Sequence, residues 1–218
     1  MELAELMELR PGVIAVIGGS GKTHFLREAG EELCASGPVL LCTTVELTPP
    51  TGAPVGSTLE ELTALATDHA LVWGGTLLEN GRLGPLNLEL AQLRKQFPTV
   101  LVKADSTHGR PLSANQIAVP QEADQVIALV GATGFGQEIR EAAADPARWA
   151  ELAEAGENDP VTPEQAAELL QKMGLHHRVF VNRVEAVEQL AWVGRFAAAM
   201  SCPVAAGSLV TGMAFPCN

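Results

Sequence analysis

Gly18-Gly19-Ser20-Gly21-Lys22-Thr23 follows the apolar run Val13–Ile17 and precedes a helical stretch. A strand, a glycine-rich turn and a Lys-Thr pair thus stand in the order that phosphate binding requires. A helix N-terminus presents unpaired amides and a partial positive charge, and glycines let successive N–H groups curl around an anion. On this reading Gly18, Gly19, Ser20 and Gly21 hold phosphates, Lys22 neutralises their charge, and the Thr23 hydroxyl meets a Mg²⁺ ion. The usual G-x-x-x-x-G-K-[ST] pattern wants glycine where this chain has Val16, so the loop is a tightened or degenerate version. The alternative is an ordinary glycine turn in which Lys22 and Thr23 merely start the helix.

A phosphate loop needs a metal carboxylate, and Asp105 follows the apolar strand Val100–Ala104 where a Walker-B aspartate belongs. It could equally cap the Asp-Ser-Thr turn. Lys103, facing away from its strand neighbours, is expected to be solvated. Thr43 and Thr44 end another strand beside the phosphate pocket, where a hydroxyl could touch the metal or the terminal phosphate, although two threonines are equally at home in a strand. Asn182-Arg183-Val184-Glu185 follows the strand Val179–Val181 and is close to the Asn-Lys-x-Asp by which GTP-binding folds read guanine. There Asn182 would brace the loop, Arg183 cover a ring face and Glu185 accept from the guanine edge. Glutamate is a methylene longer than aspartate, and a strand-to-helix turn capped by Asn182 explains the same residues. Gly131-Ala-Thr-Gly134-Phe-Gly136 has some likeness to a dinucleotide fingerprint but reads better as a flexible turn. His176-His177 suits a helix C-terminus better than a metal.

The elements that must position these residues alternate. The N-terminal segment Met1–Arg10 is acidic and amphipathic, a surface helix ending at Pro11-Gly12 rather than a secretory signal. The spacing predicts a strand at Val13–Ile17, a helix over 21–36 and a strand over Val39–Thr43, one βαβ unit. Ser57-Thr-Leu-Glu60 has capping-box spacing for a helix to Asp68, Ala70–Trp73 is strand-like, and Asn80-Gly81 marks a hairpin. Helices are expected at 87–97, 145–155 and 184–200, and Thr162-Pro163-Glu164-Gln165 opens another that ends at Gly174. Strands are expected at 100–104, 125–130, 178–181 and 203–206, with an irregular tail after the last. This order gives an α/β fold, a mostly parallel sheet with helices on both faces in a P-loop NTPase-like three-layer sandwich, with ligands at the carboxyl ends of the strands. The 218 residues, 47% of them hydrophobic, suit a single domain, with Gly131–Pro160 a candidate mobile lid.

With 26 acidic against 14 basic residues, the net charge of −12 disfavours nucleic acid and anionic membrane surfaces as partners. A phosphate ligand must therefore be held by local amides, Lys22 and metal. No apolar run reaches the roughly 18 residues of a membrane span. The scattered Cys34, Cys42, Cys202 and Cys217 read as reduced thiols in the cytoplasm.

On these residues the chain resembles the selenium-dependent hydroxylase accessory protein family, often called YqeC-like. Its members carry a compact Val-Gly-x-Gly-Gly-Lys-Thr loop, similar to Ile17–Thr23 here, so the missing first glycine is a family trait. They continue with a Thr-rich strand end and Pro-Pro, like Cys42–Pro50, and an Asn-Lys-Val-Asp like Asn182–Glu185. The Val-Glu-Ala-Asp-Gly-Ser of the family, with Pro-Leu-Lys after it, reads Val102-Lys-Ala-Asp-Ser-Thr107 and Pro111-Leu-Ser113. The aspartate is kept, while Lys103 replaces a carboxylate, Ser106 a glycine and Ser113 a lysine. The resemblance implies a protein that binds a nucleoside triphosphate (GTP or ATP) with Mg²⁺ and assists maturation of a molybdenum-containing hydroxylase, through that enzyme or its cofactor-assembly proteins. Thr23 and Asp105 would hold the metal, and Lys22 and Asp105 would serve any slow hydrolysis. A small-molecule kinase using the same loop, or a scaffold that has lost nucleotide turnover, are the other readings.

Overall fold

The structure, a computed structural model, describes residues 2–49, 51–114 and 119–218. Met1 of the expected N-terminal helix and Pro50 of the Pro-Pro pair lie outside them. Nine strands form one sheet. β1 (Gly12–Gly18), β2 (Val39–Thr43), β3 (Val55–Gly56), β4 (Leu71–Gly74), β7 (Thr99–Lys103), β8 (Gln125–Gly131), β9 (Arg178–Asn182), β10 (Val204–Ser208) and β11 (Met213–Pro216) lie in the order β11-β10-β9-β8-β1-β7-β2-β4-β3. All neighbours are parallel except β10 and β11. The tail after β10 is therefore not irregular. It turns back as an antiparallel strand whose backbone satisfies the exposed edge of β10. β5 (Thr76–Leu77) and β6 (Leu83–Gly84) form a separate hairpin around Asn80-Gly81.

The side-chain period of two sorts the core into layers. Ile14 and Val16 of β1, Val39 and Leu41 of β2 and Leu101 of β7 pack with Phe25, Leu26 and Ala29 of α2 (Lys22–Leu33) and with Leu3 and Met7 around α1 (Leu3–Leu6). On the other face, Leu40, Cys42, Val100 and Val102 meet α3 (Leu59–Asp68) and α4 (Leu90–Leu93), through Leu62 and Leu93. Ala128, Val130, Val179 and Val181 meet α5 (Ile139–Ala142), α6 (Pro146–Leu152), α7 (Pro163–Met173) and α8 (Val187–Ala199).

Local signals held at the starts of α6 and α7, whereas α4 spans only Leu90–Leu93 of the expected 87–97 and α8 begins at Val187 rather than 184. Thr162 caps α7 in a capping box with Gln165, Pro163 fills the first turn, and Gly174 ends it at φ +63°. The box at α3 is displaced by one residue. Thr58 is the cap and Glu61 its partner, while Ser57 also donates to Glu61. α1 is shorter than its amphipathic pattern: Glu32 of α2 accepts from the amides of Leu3 and Ala4 at its start, and the chain leaves the helix at Met7, its C-cap, with Glu8 at φ +46°.

The candidate lid, Gly131–Pro160, is built into the fold. Phe135, Ile139, Ala142 and Trp149 are all buried against β8, α7 and α8. Leu112 pairs with Ala143 in a parallel bridge. The four cysteines are unbridged. No helix of the described residues is long and apolar enough to cross a membrane.

Trp149 tests this packing. Its truncation to alanine should cost about 3–5 kcal/mol, the range for emptying a buried aromatic site, read as a lowered urea midpoint at unchanged slope. A change below about 1 kcal/mol would mean the segment is not part of the core.

Candidate functional site

β1, β2, β7, β8 and β9 run parallel, so their carboxyl ends meet at one edge of the sheet, and the glycine loop leaves β1 in the middle of it. The amide of Gly19 donates to the carbonyl of Leu129 at 2.6 Å, anchoring the turn on β8. A side chain at Gly19 would place its Cβ 2.0 Å from the carbonyl oxygen of Pro111, so only glycine lets these two backbones pass. Gly21 stands at φ +101° as the N-cap of α2, against the Asn182 side chain. The first helical bond runs from Phe25 N–H to Gly21 C=O, and the amides between them belong to the unpaired first turn.

Lys22 and Asp105 tie this loop to β7. The Lys22 ammonium donates to the carbonyls of Gly18 and Gly19 and lies 3.3 Å from Asp105 Oδ1, which also accepts from the Gly18 amide at 3.1 Å. Both residues are buried. Burial pushes the Lys22 pKa below its usual value despite Asp105, and pushes the Asp105 pKa up despite Lys22 and the Gly18 amide. Asp105 Oδ2 is buried with no hydrogen-bond partner among the described residues. It is a carboxylate oxygen suited to one further donor or cation.

Lys103 corrects the expectation of a solvated side chain. Alternation along β7 sends Val100 and Val102 to the α3 face, so Leu101 and Lys103 share the α2 face, and Lys103 is 8% exposed. It lines a cavity of about 330 Å³ together with the loop residues Gly19 to His24 and Ser106 to Gly109. Burial, then the nearby Lys22, lowers its pKa to about 8.

The other expected residues divide. Thr23 lines the same cavity. Thr43 donates to the Val45 carbonyl at 2.6 Å and Thr44 to the Ala104 carbonyl at 3.0 Å, so both hydroxyls hold the β2 and β7 loop ends. Asn182 is a brace. Its amide donates to the Ser20 carbonyl at 3.4 Å and its oxygen accepts from Leu209 and Arg183, joining the glycine loop to β9 and β10. Arg183, at φ +66°, forms an ion pair with Glu185 at 2.9 Å, and Ser208 donates to the same Glu185 oxygen. Among the described residues, Asn182 is the one of the three with a hydrogen bond to the glycine loop.

The local charge is two lysines against one aspartate, a surplus that a bound anion would offset. Lys103→Met should remove that surplus and stabilise the fold by about 1–3 kcal/mol at pH 7. The sign follows from a folded pKa near 8 against 10.5 unfolded. The lysine opposes folding in full below pH 8, and that cost fades as pH rises toward 10.5. Paired urea titrations of wild type and variant should show the gap closing over that range. A less stable variant at pH 7 would refute the assignment.

The family model described as YqeC protein matches residues 14–147, which span the glycine loop, β7 and Asp105. The curated relative from Escherichia coli (strain K12), described as "Uncharacterized protein YqeC", is 25% identical over 199 residues, covering 86% of this chain and 77% of that protein. The crystal structure of the signal recognition particle 54 kDa protein from Aeropyrum pernix K1 in complex with GDP aligns with 94% of this chain and 43% of its own, at 13% identity and a TM-score of 0.41. On the extent of the family match, which takes in the loop and the aspartate that closes on it, this chain belongs to the YqeC protein family.

Proposed function

We propose that this chain binds a nucleoside triphosphate with Mg²⁺, GTP or ATP, in the glycine loop, hydrolyses it slowly, and assists maturation of a molybdenum-containing hydroxylase. The carrying observation is the convergence of the α2 amides and Lys22 on one cavity at the carboxyl edge of a parallel sheet, with Asp105 buried against Lys22. The hydroxylase context comes from the family resemblance.

The amides of the first turn of α2 would hold the inner phosphates. The hydrogens of Lys22 now serve two loop carbonyls and Asp105, and an incoming phosphate would compete for them. Lys103 approaches the same cavity from β7 and would share the charge of the outer phosphates. The residues fit a metal that arrives with the nucleotide. Asp105 Oδ2 lacks a partner among the described residues and Thr23 lines the cavity, so these two would hold Mg²⁺, directly or through water. Bound there, Mg²⁺ would stabilise charge developing on the phosphate oxygens. Thr43 and Thr44 have hydroxyls engaged by backbone carbonyls, which leaves the attacking water without a positioned threonine and favours slow or partner-stimulated turnover. Guanine recognition would require Glu185 to exchange Arg183 and Ser208 for the base.

Calorimetric titration of ATP, GTP and CTP, each with and without Mg²⁺, tests the reading. Binding should fall at least about tenfold in Lys22→Ala, and by about as much in Lys103→Met, since each removes one charge-assisted phosphate contact. Equal affinity of wild type and Lys22→Ala would defeat the loop assignment, and no binding of any of the three would favour the scaffold.

A further inference from the structure

A second, larger cavity of about 730 Å³ adjoins the phosphate cavity and shares Thr23 and His24 with it. One wall is α2, which presents His24, Arg27 and Glu31 along a single face. Leu71 of β4 supplies apolar surface, with the nearly buried Trp73 behind it, and Ala53 and Pro54 also line the cavity. Its size falls within the range of small-molecule pockets, roughly 300–1,000 Å³, and its mix of apolar surface with few polar groups is the usual one.

The polar groups are ordered along the wall. His24 and Arg27 lie next to the glycine loop, with Arg27 Nη2 3.4 Å from His24 Nε2, and Glu31 lies at the far end, 3.9 Å from Arg27 Nε. From His24 to Glu31 the helix rises about 10 Å. Arg27 thus stands between His24 at the loop end and Glu31 at the far end, so a ligand lying along the wall meets the His24–Arg27 pair first and the Glu31 carboxylate beyond it.

We propose that this cavity is a binding site for a small ring-bearing organic anion. Its anionic group meets Arg27 and His24, its ring lies on Leu71, and a hydrogen-bond donor at its other end faces Glu31. The shared Thr23 and His24 bring the anionic end beside the phosphate cavity. That adjacency to a nucleotide rests on the function proposed above, whereas the cavity itself does not.

The probe is 8-anilinonaphthalene-1-sulfonate, which has a ring body, a sulfonate and an N–H donor, titrated by fluorescence into the full chain. Ala53→Phe, which fills the cavity, should weaken dye binding at least about tenfold. Arg27→Ala, at an exposed helix position that should not disturb folding, should weaken it about fivefold. Lys22→Ala should leave dye affinity unchanged. Inorganic triphosphate binding, measured on the same proteins, should show the reverse pattern, lost in Lys22→Ala and kept in Ala53→Phe. Dye affinity unchanged in Arg27→Ala and in folded Ala53→Phe, or lost in Lys22→Ala, would overturn the site. Failure of triphosphate to bind wild type would defeat only the nucleotide reading, because the dye measurements stand without it.

Discussion

The buried pair of Lys22 and Asp105 is the constraint around which the site is arranged. Parallel register sets it. Val16 of β1 lies beside Lys103 of β7, so two residues further on Gly18 comes beside Asp105. The aspartate then accepts from the Gly18 amide while Lys22 reaches back over the same turn. Two charges removed from water are costly wherever hydrogen-bonding capacity is left unmet; the Gly18 and Gly19 carbonyls meet it for the ammonium, while Asp105 Oδ2 has no partner among the described residues. Any change in strand register would separate the charges and leave both buried without partners. The loop shape and the sheet register therefore specify each other.

Lys103 alters the electrostatics of that pair. A buried ammonium beside a neutral ion pair raises the free energy of the fold, and burial together with Lys22 holds its pKa near 8. Its position at the end of β7, facing the cavity, makes the cost local to the place where an anion would relieve it. Sites commonly carry such locally unfavourable groups, because what destabilises the unliganded protein strengthens the liganded one.

The mostly parallel sheet and the starts of α6 and α7 were legible in the sequence, because buried strands read as apolar runs and Thr162-Pro163-Glu164-Gln165 states a helix start outright. Gly18 to Thr23 and Asp105 were legible for the same reason, being residues at the ends of recognisable elements. What escaped depended on partners distant in sequence. Lys103 reads as solvated until β7 is known to be covered on both faces. The tail reads as irregular until the open edge of β10 is there to pair with it. The box at α3 slipped by one residue because Ser57 and Thr58 are both good caps, and Glu61 bonds both. Gly131–Pro160 resembled a lid because its helices are short. Its anchors, Phe135 and Trp149, are fixed by contacts with α7 and α8 that no local pattern reveals.

The unequal covering of the sheet explains why two cavities flank one helix. Among the described residues the α3–α8 side is closed by six α-helices, whereas the other face is covered by α1 and α2 together with loop and hairpin residues such as Leu47, Leu83 and Leu209. Near the carboxyl edge, α2 is thus the sole helical wall. Its N-terminus meets the loop and β7 on one side, and its outward face meets β4 and the 51–54 segment on the other. Thr23 and His24 belong to both cavities because they lie in the first turn, where the helix is still close to the sheet edge. A ligand on either side must bear on the same turn. Its backbone amides are the groups through which a phosphate would be held, so ligands on the two sides would share one turn of one helix.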